Sequence, residues 1–192
     1  MEDMNNQTGI EIELKFSLSI SPEEFLAHCG EPAKNAACIY QKTVMFDNDQ
    51  KLMETTNGRL RLRTHGDTVT LSYKRPLPSH QTKKEIEWET TVDSWDIGVN
   101  IIQAMGFYEV SSYEKYRTSF PYKGVKVEID EYPFATFVEI EGDEDTIKSV
   151  ATELGFDMPK ALQESCDTLF AQWRKERGLS EKNHMRFEDY DN

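Results

Sequence analysis

Apolar and polar residues alternate with a period of two along several stretches of the chain. The sharpest stretch is 10–20, IEIELKFSLSI. Side chains alternate across a strand, so this pattern predicts a strand with one apolar and one charged face. The charged face carries Glu11, Glu13 and Lys15, neighbours about 6.6 Å apart along the strand. Residues 58–64, GRLRLRT, place Leu60 and Leu62 on one side and Arg59, Arg61 and Arg63 on the other. His65, Gly66 and Asp67 form a turn signal, and 68–74 returns with Lys74 at the end of its polar row, so a hairpin is predicted. Further strands are predicted over 38–46, 83–91, 114–120, 125–130 and 136–141. Their polar rows hold Glu85, Glu87 and Glu89; Lys115 and Arg117; Lys126, Glu128 and Asp130; and Glu139 and Glu141.

Between these strands the period changes to that of a helix. Ser21, Pro22 and Glu24 open a short helix with a capping box, ending near Gly30. Ile97, Ile101, Ile102 and Met105 give an apolar helical face over 94–105, stopped by Gly106. Residues 143–154 and 159–177 complete the set, the last with Leu162, Cys166, Leu169, Phe170 and Trp173 on its apolar side. Trp88, Trp95 and Trp173 are expected to be packing residues. Residues 47–57 read as a polar connection, and 75–82, with two prolines, as a mobile loop over a tunnel mouth. Residues 1–178 are expected to form one domain, and 179–192 a frayed polar tail. The fold class is α+β, with antiparallel strands and helices at the connections.

A formal net charge of −13 argues against general nucleic-acid binding, which needs a basic footprint. The cysteines Cys29, Cys38 and Cys166 form no CxxC pair, and four histidines are scattered. Neither a disulfide framework nor a zinc site follows, and a reducing cytoplasm is expected. Residues 1–9 are polar, with no apolar signal segment, and no stretch reaches membrane-spanning length. No cysteine has an evident histidine partner that would make it a nucleophile.

One charged strand face is ordinary solvated surface. Repeated rows of like charge are not, because neighbouring like charges repel. A sheet curled into a barrel with a charged lumen accounts for them. Arginine forks and lysine ammonium groups suit a polyphosphate. Carboxylates suit Mg²⁺ or Mn²⁺. The chain has no glycine-rich phosphate loop, so side chains must build such a site.

The ordered set of Glu11, Glu13 and Lys15, then Arg59, Arg61 and Arg63, Lys74, Glu85 and Glu87, Lys115 and Arg117, Glu128 and Asp130, and Glu139 and Glu141 resembles the CYTH family, the triphosphate tunnel metalloenzymes. The resemblance spans about residues 10–170. It implies an eight-stranded antiparallel β tunnel, a closed barrel with a charged lumen and helices packed around the outside. It also implies that Lys15, Arg59, Arg61, Lys74, Lys115 and Arg117 bind phosphate. Glu11, Glu13, Asp130, Glu139 and Glu141 would bind Mg²⁺ or Mn²⁺, with Glu13, Lys15 and Glu139 catalytic. The roles of Arg63, Glu85, Glu87 and Glu128 stay open. Two segments depart from the pattern: Met45, Phe46 and Asp47 stand where many relatives have an aromatic pair before Asp, and Glu164 to Asp167 where many have Ser-Tyr.

Three functions stand against one another. The first is a metal-dependent hydrolase of inorganic, nucleoside or thiamine triphosphate. The second is a class IV adenylyl cyclase, in which the ribose 3′ hydroxyl of ATP attacks the α-phosphate and pyrophosphate leaves. The third is a non-catalytic polyphosphate- or nucleotide-binding module, against which the many carboxylates argue. The expected partner is a small-molecule triphosphate, with no nucleic acid and no membrane; a homodimer is compatible with this reading.

Overall fold

The computed structural model describes residues 9–79, 82–180 and 182–190. The polar start over 1–8 and the middle of the proline-containing loop, 80–81, lie outside the described residues. Among the described residues, nine strands form one sheet: β1 (Ile10–Ser17), β2 (Cys38–Asp47), β3 (Arg59–His65), β4 (Thr68–Leu77), β5 (Lys83–Val92), β6 (Tyr108–Tyr122), β7 (Val125–Glu131), β8 (Thr136–Glu141) and β9 (His184–Met185). The order β2-β3-β4-β5-β1-β8-β7-β6, with β2 also paired to β6, closes the first eight strands into an antiparallel barrel. β9 adds a short parallel pairing to β6 at Ser112 and Tyr113.

Among the described residues, five α-helices accompany the barrel: α1 (Pro22–Cys29), α2 (Leu52–Thr56), α3 (Trp95–Ala104), α4 (Glu144–Glu153) and α5 (Cys166–Glu176). The capping box of α1 forms as the sequence suggests, with Ser21 and Glu24 each accepting the other's backbone amide. α1 and α4 cover the outward apolar rows of β1, β7 and β8. Leu14, Val127, Ile129, Val138 and Ile140 meet Phe25, Ile147 and Val150 there. α3 covers Leu62, and this approach needs Gly98, since a Cβ there would lie 3.3 Å from both Leu62 methyls.

Several expectations are corrected. α3 buries Gly98 and Ile102, whereas Ile97, Ile101 and Met105 are 53–60% exposed. The helix lies on its other edge, so the apolar period marked the helix but not its packed face. Trp88 is 62% exposed and stacks on Tyr73 across β4 and β5. A short helix, α2, occupies the polar connection, where Asp47 accepts from the amides of Met53 and Glu54. The last long helix begins later than its apolar period suggests. The Leu162 amide bonds the Lys15 carbonyl at 2.8 Å, tying that segment to β1. Ser165 then caps α5 by accepting from the Thr168 amide. The tail is not frayed over 182–190: Met185 is 1% exposed, and Tyr190 packs on Phe170 and Trp173. Its polar composition hid these two anchoring residues.

Candidate active site

The strand period of two sends one row of each barrel strand inward. These rows are the charged ones. They line a cavity of about 500 Å³ that includes Lys15 of β1, Arg59, Arg61 and Arg63 of β3, Lys74 of β4, and Lys115 and Arg117 of β6. Glu11, Glu13, Glu85, Glu87, Glu128 and Glu139 line the same cavity. Met45, Tyr113, Tyr132, Phe137, Cys166 and Phe170 cluster where α5 lies across one end.

Antiparallel register brings acids and bases together in strings. Lys15 Nζ lies 2.9 Å from Glu139, its register partner across β1 and β8. Glu139 also accepts from Arg117 at 2.7 Å. Arg61 bonds Glu87 at 2.9 Å, and Glu87 holds Lys74 at 2.8 Å. Lys74 also pairs with Glu11. Arg59 donates to both oxygens of Glu85, and Lys83 bridges Glu85 and Glu13 at 3.2 and 2.8 Å. Arg63 is held apart from the carboxylates, donating to Thr43 and the Tyr113 hydroxyl at 3.0 Å each.

These pairings set the charges. Burial works against the Glu85 carboxylate, but Lys83 and Arg59 outweigh it and bring its pKa down to about 2. Burial likewise opposes ionisation of Glu139, and Lys15 and Arg117 hold it well below the usual carboxylate range. Lys15 is pulled down by burial, yet Glu139 and Glu13 keep it above the ordinary lysine value. Lys115 goes the other way: burial, reinforced by Arg117, pushes it down to about 7 against the pull of Asp130.

All six cations expected to meet phosphate face this one cavity. The acids divide. Glu11, Glu13 and Glu139 line it, while Glu141 stands opposite Glu13 in register and pairs with Lys126. Asp130 is 0% exposed and absent from the cavity wall; it accepts from Lys115 at 2.6 Å and from Arg117. Among the described residues, no group of three His, Cys, Asp or Glu side chains is set as a metal cage. The lumen donors are nevertheless hard carboxylate oxygens, the set that suits Mg²⁺ or Mn²⁺. Glu13 faces Glu141, and Glu11 faces Glu85, directly across strands. Like charges so placed repel unless a cation compensates them. Here Lys74, Lys83 and Lys126 supply that compensation, and a divalent ion bound to these oxygens would take over part of it.

Lys83 and Lys126 were not singled out as site residues by sequence reasoning, although each begins an inward row: Lys83 before Glu85 and Glu87, Lys126 before Glu128. Ser165, Cys166 and Asp167 also line the cavity. No strand period could have found them, because they reach it from α5.

A closed antiparallel barrel with paired acids and bases throughout its lumen defines a β tunnel. The family model described as "CYTH domain" matches residues 9–167, and the chain belongs to the CYTH family. Solved structures share the fold. A Vibrio parahaemolyticus protein, described as a candidate adenylate cyclase, superposes with a TM-score of 0.71 at 16% identity, over 84% of this chain and 98% of that one. A Pyrococcus horikoshii protein gives 0.68 at 23% identity, over 84% and 98%. A Hippeastrum protein, described as having a dominant triphosphatase activity, gives 0.58 at 20% identity, over 89% and 97%. Comparison with the curated proteins gave no match. Among the described residues, no helix is long and apolar enough to cross a membrane.

Proposed function

We propose that the protein is a divalent-metal-dependent hydrolase of triphosphate substrates. The observation that carries this reading is the convergence of Lys15, Arg59, Arg61, Lys74, Lys115 and Arg117, from four strands, on one carboxylate-lined cavity. Guanidinium forks bind non-bridging phosphate oxygens in pairs, and ammonium groups act as point charges. Phosphate competes with Glu85 for Arg59, and with Glu87 for Arg61 and Lys74. The row of cations then extends the triphosphate along the lumen, where positioning and charge stabilisation supply the rate enhancement. Glu11, Glu13 and Glu139, with Glu141 opposite Glu13, would hold Mg²⁺ or Mn²⁺. When bound, the ion neutralises charge on the phosphate oxygens. Asp130 has a different part in this reading: it holds Lys115 and Arg117 in place. Glu13, Lys15 and Glu139 form the centre of the reacting region, with inorganic triphosphate the simplest substrate and nucleoside or thiamine triphosphates the organic ones.

Incubation with tripolyphosphate and with ATP, each with Mg²⁺ or Mn²⁺, tests the reading through the products. Orthophosphate supports hydrolysis. Cyclic AMP and pyrophosphate would replace it with the cyclase reaction, and binding without turnover would replace it with a binding module.

A further inference from the structure

Asp167 lies in the first turn of α5 and lines the tunnel cavity. Every other carboxylate lining the cavity has a lysine or arginine nitrogen within 4.0 Å. Asp167 has none among the described residues, although the charges of Arg59 and Lys15 still act on it from further away. A second cavity, of about 720 Å³, adjoins the tunnel here, and Met45, Arg59, Lys83, Glu85, Ser165 and Asp167 belong to the walls of both. Asp167 therefore stands where the triphosphate-binding lumen meets a second chamber.

An unpaired carboxylate beside a polyanion site weakens anion binding, so its position needs another explanation. A carboxylate that keeps no cation has both its lone pairs and its charge available for a proton. We propose that Asp167 is the proton acceptor for the attacking water, a step that rests on the hydrolase reading above. The water oxygen bonds to the terminal phosphorus and its proton passes to a carboxylate oxygen of Asp167. The bond from that phosphorus to the bridging oxygen breaks, and its electron pair leaves with the remaining diphosphate group. The second chamber gives Asp167 a route by which to return the proton to water.

The surroundings suit that task. Burial raises the Asp167 pKa, with Arg59 and Lys15 opposing. That moves the group toward the range in which general bases work. Lys15 of β1, Arg59 of β3, and Lys83 and Glu85 of β5 are the charged groups that line the tunnel around it. Asp47 of β2, Glu54 of α2, Lys84 of β5 and Glu164, just before α5, line the second chamber. Asp47 is occupied with the α2 amides, and the neighbouring Cys166 thiol is pushed up by burial and stays neutral. Met45 and Ser111 contribute no titrating group.

The test is the pH–rate profile of orthophosphate release from tripolyphosphate, paired with calorimetric tripolyphosphate binding, for the wild type, Asp167→Asn and Asp167→Glu. The Asn variant is expected to lose about 10²-fold in kcat. Its tripolyphosphate Kd should not rise, because the substitution removes a negative charge beside the anion site and breaks no ion pair. It should also lose the acid limb of the profile, which the Glu variant should restore at a shifted pH. An Asn variant that keeps both kcat and the acid limb would overturn the proposal. So would a loss of activity matched by loss of binding that Glu does not repair. If the wild type releases no orthophosphate at all, the hydrolase reading fails and this step fails with it; if only the variants disagree, the hydrolase reading stands.

Discussion

Lys15 Nζ lies 2.9 Å from Glu139 Oε1, and the two residues are direct register partners on β1 and β8. The pair is 5% and 9% exposed. One ion pair thus joins a residue assigned to phosphate with one assigned to metal, and each keeps the other charged. Lys15→Met removes a charge-assisted bond to phosphate, so tripolyphosphate affinity should fall about 10- to 100-fold by calorimetry. Unchanged affinity would take Lys15 out of the phosphate row.

Asp130 is set apart from the carboxylates that line the lumen. It is fully buried between Lys115 and Arg117. Removing one member of a buried ion pair leaves uncompensated charge, at a cost of about 3–5 kcal/mol. Asp130→Asn should therefore lower the denaturation midpoint strongly. In protein that remains folded, Mn²⁺ affinity should change little. A stable variant with lost Mn²⁺ binding would return Asp130 to the metal set.

Glu85 links stability to pH. Its folded pKa is about 2, below the ordinary glutamate value of 4.5. The unfolded chain therefore binds its proton first as pH falls, and the stabilisation is complete above about 4.5 and lost on the way down to 2. Denaturation midpoints measured from pH 6 to pH 2 should fall within that window. Glu85→Gln should be less stable at pH 6 and show a shallower fall.

The docked tail makes its own prediction. Met185 is 1% exposed within the cluster that closes the α5 end. Met185→Ala should cost about 2–5 kcal/mol by denaturant titration. An effect near zero would mean that the segment contributes nothing to the end of the tunnel.

Much of this architecture is legible in the sequence because a barrel strand has only two faces. Alternation in 10–17, 59–65 and 136–141 names both the strand and its lumen residues at once. The helices are less transparent. Ile97, Ile101 and Met105 share a helical face with buried Ile102, yet they lie in solvent, because the side on which a helix docks depends on Gly98 meeting Leu62. The burial of Asp130 was hidden for a related reason. Its inward position follows from the strand period, but the period does not tell that Lys115 and Arg117 close over its carboxylate. Asp167 belongs to no strand row; the tie between Leu162 and Lys15 and the packing of Cys166 and Phe170 on barrel residues bring its helix to the tunnel.

The most direct test of the account is orthophosphate release from tripolyphosphate with Mg²⁺ or Mn²⁺, compared between the wild type and Glu13→Ala. The account predicts metal-dependent release by the wild type and its abolition in a variant whose thermal unfolding remains cooperative. Undiminished release by folded Glu13→Ala protein, or release by the wild type in the presence of a chelator, would contradict it.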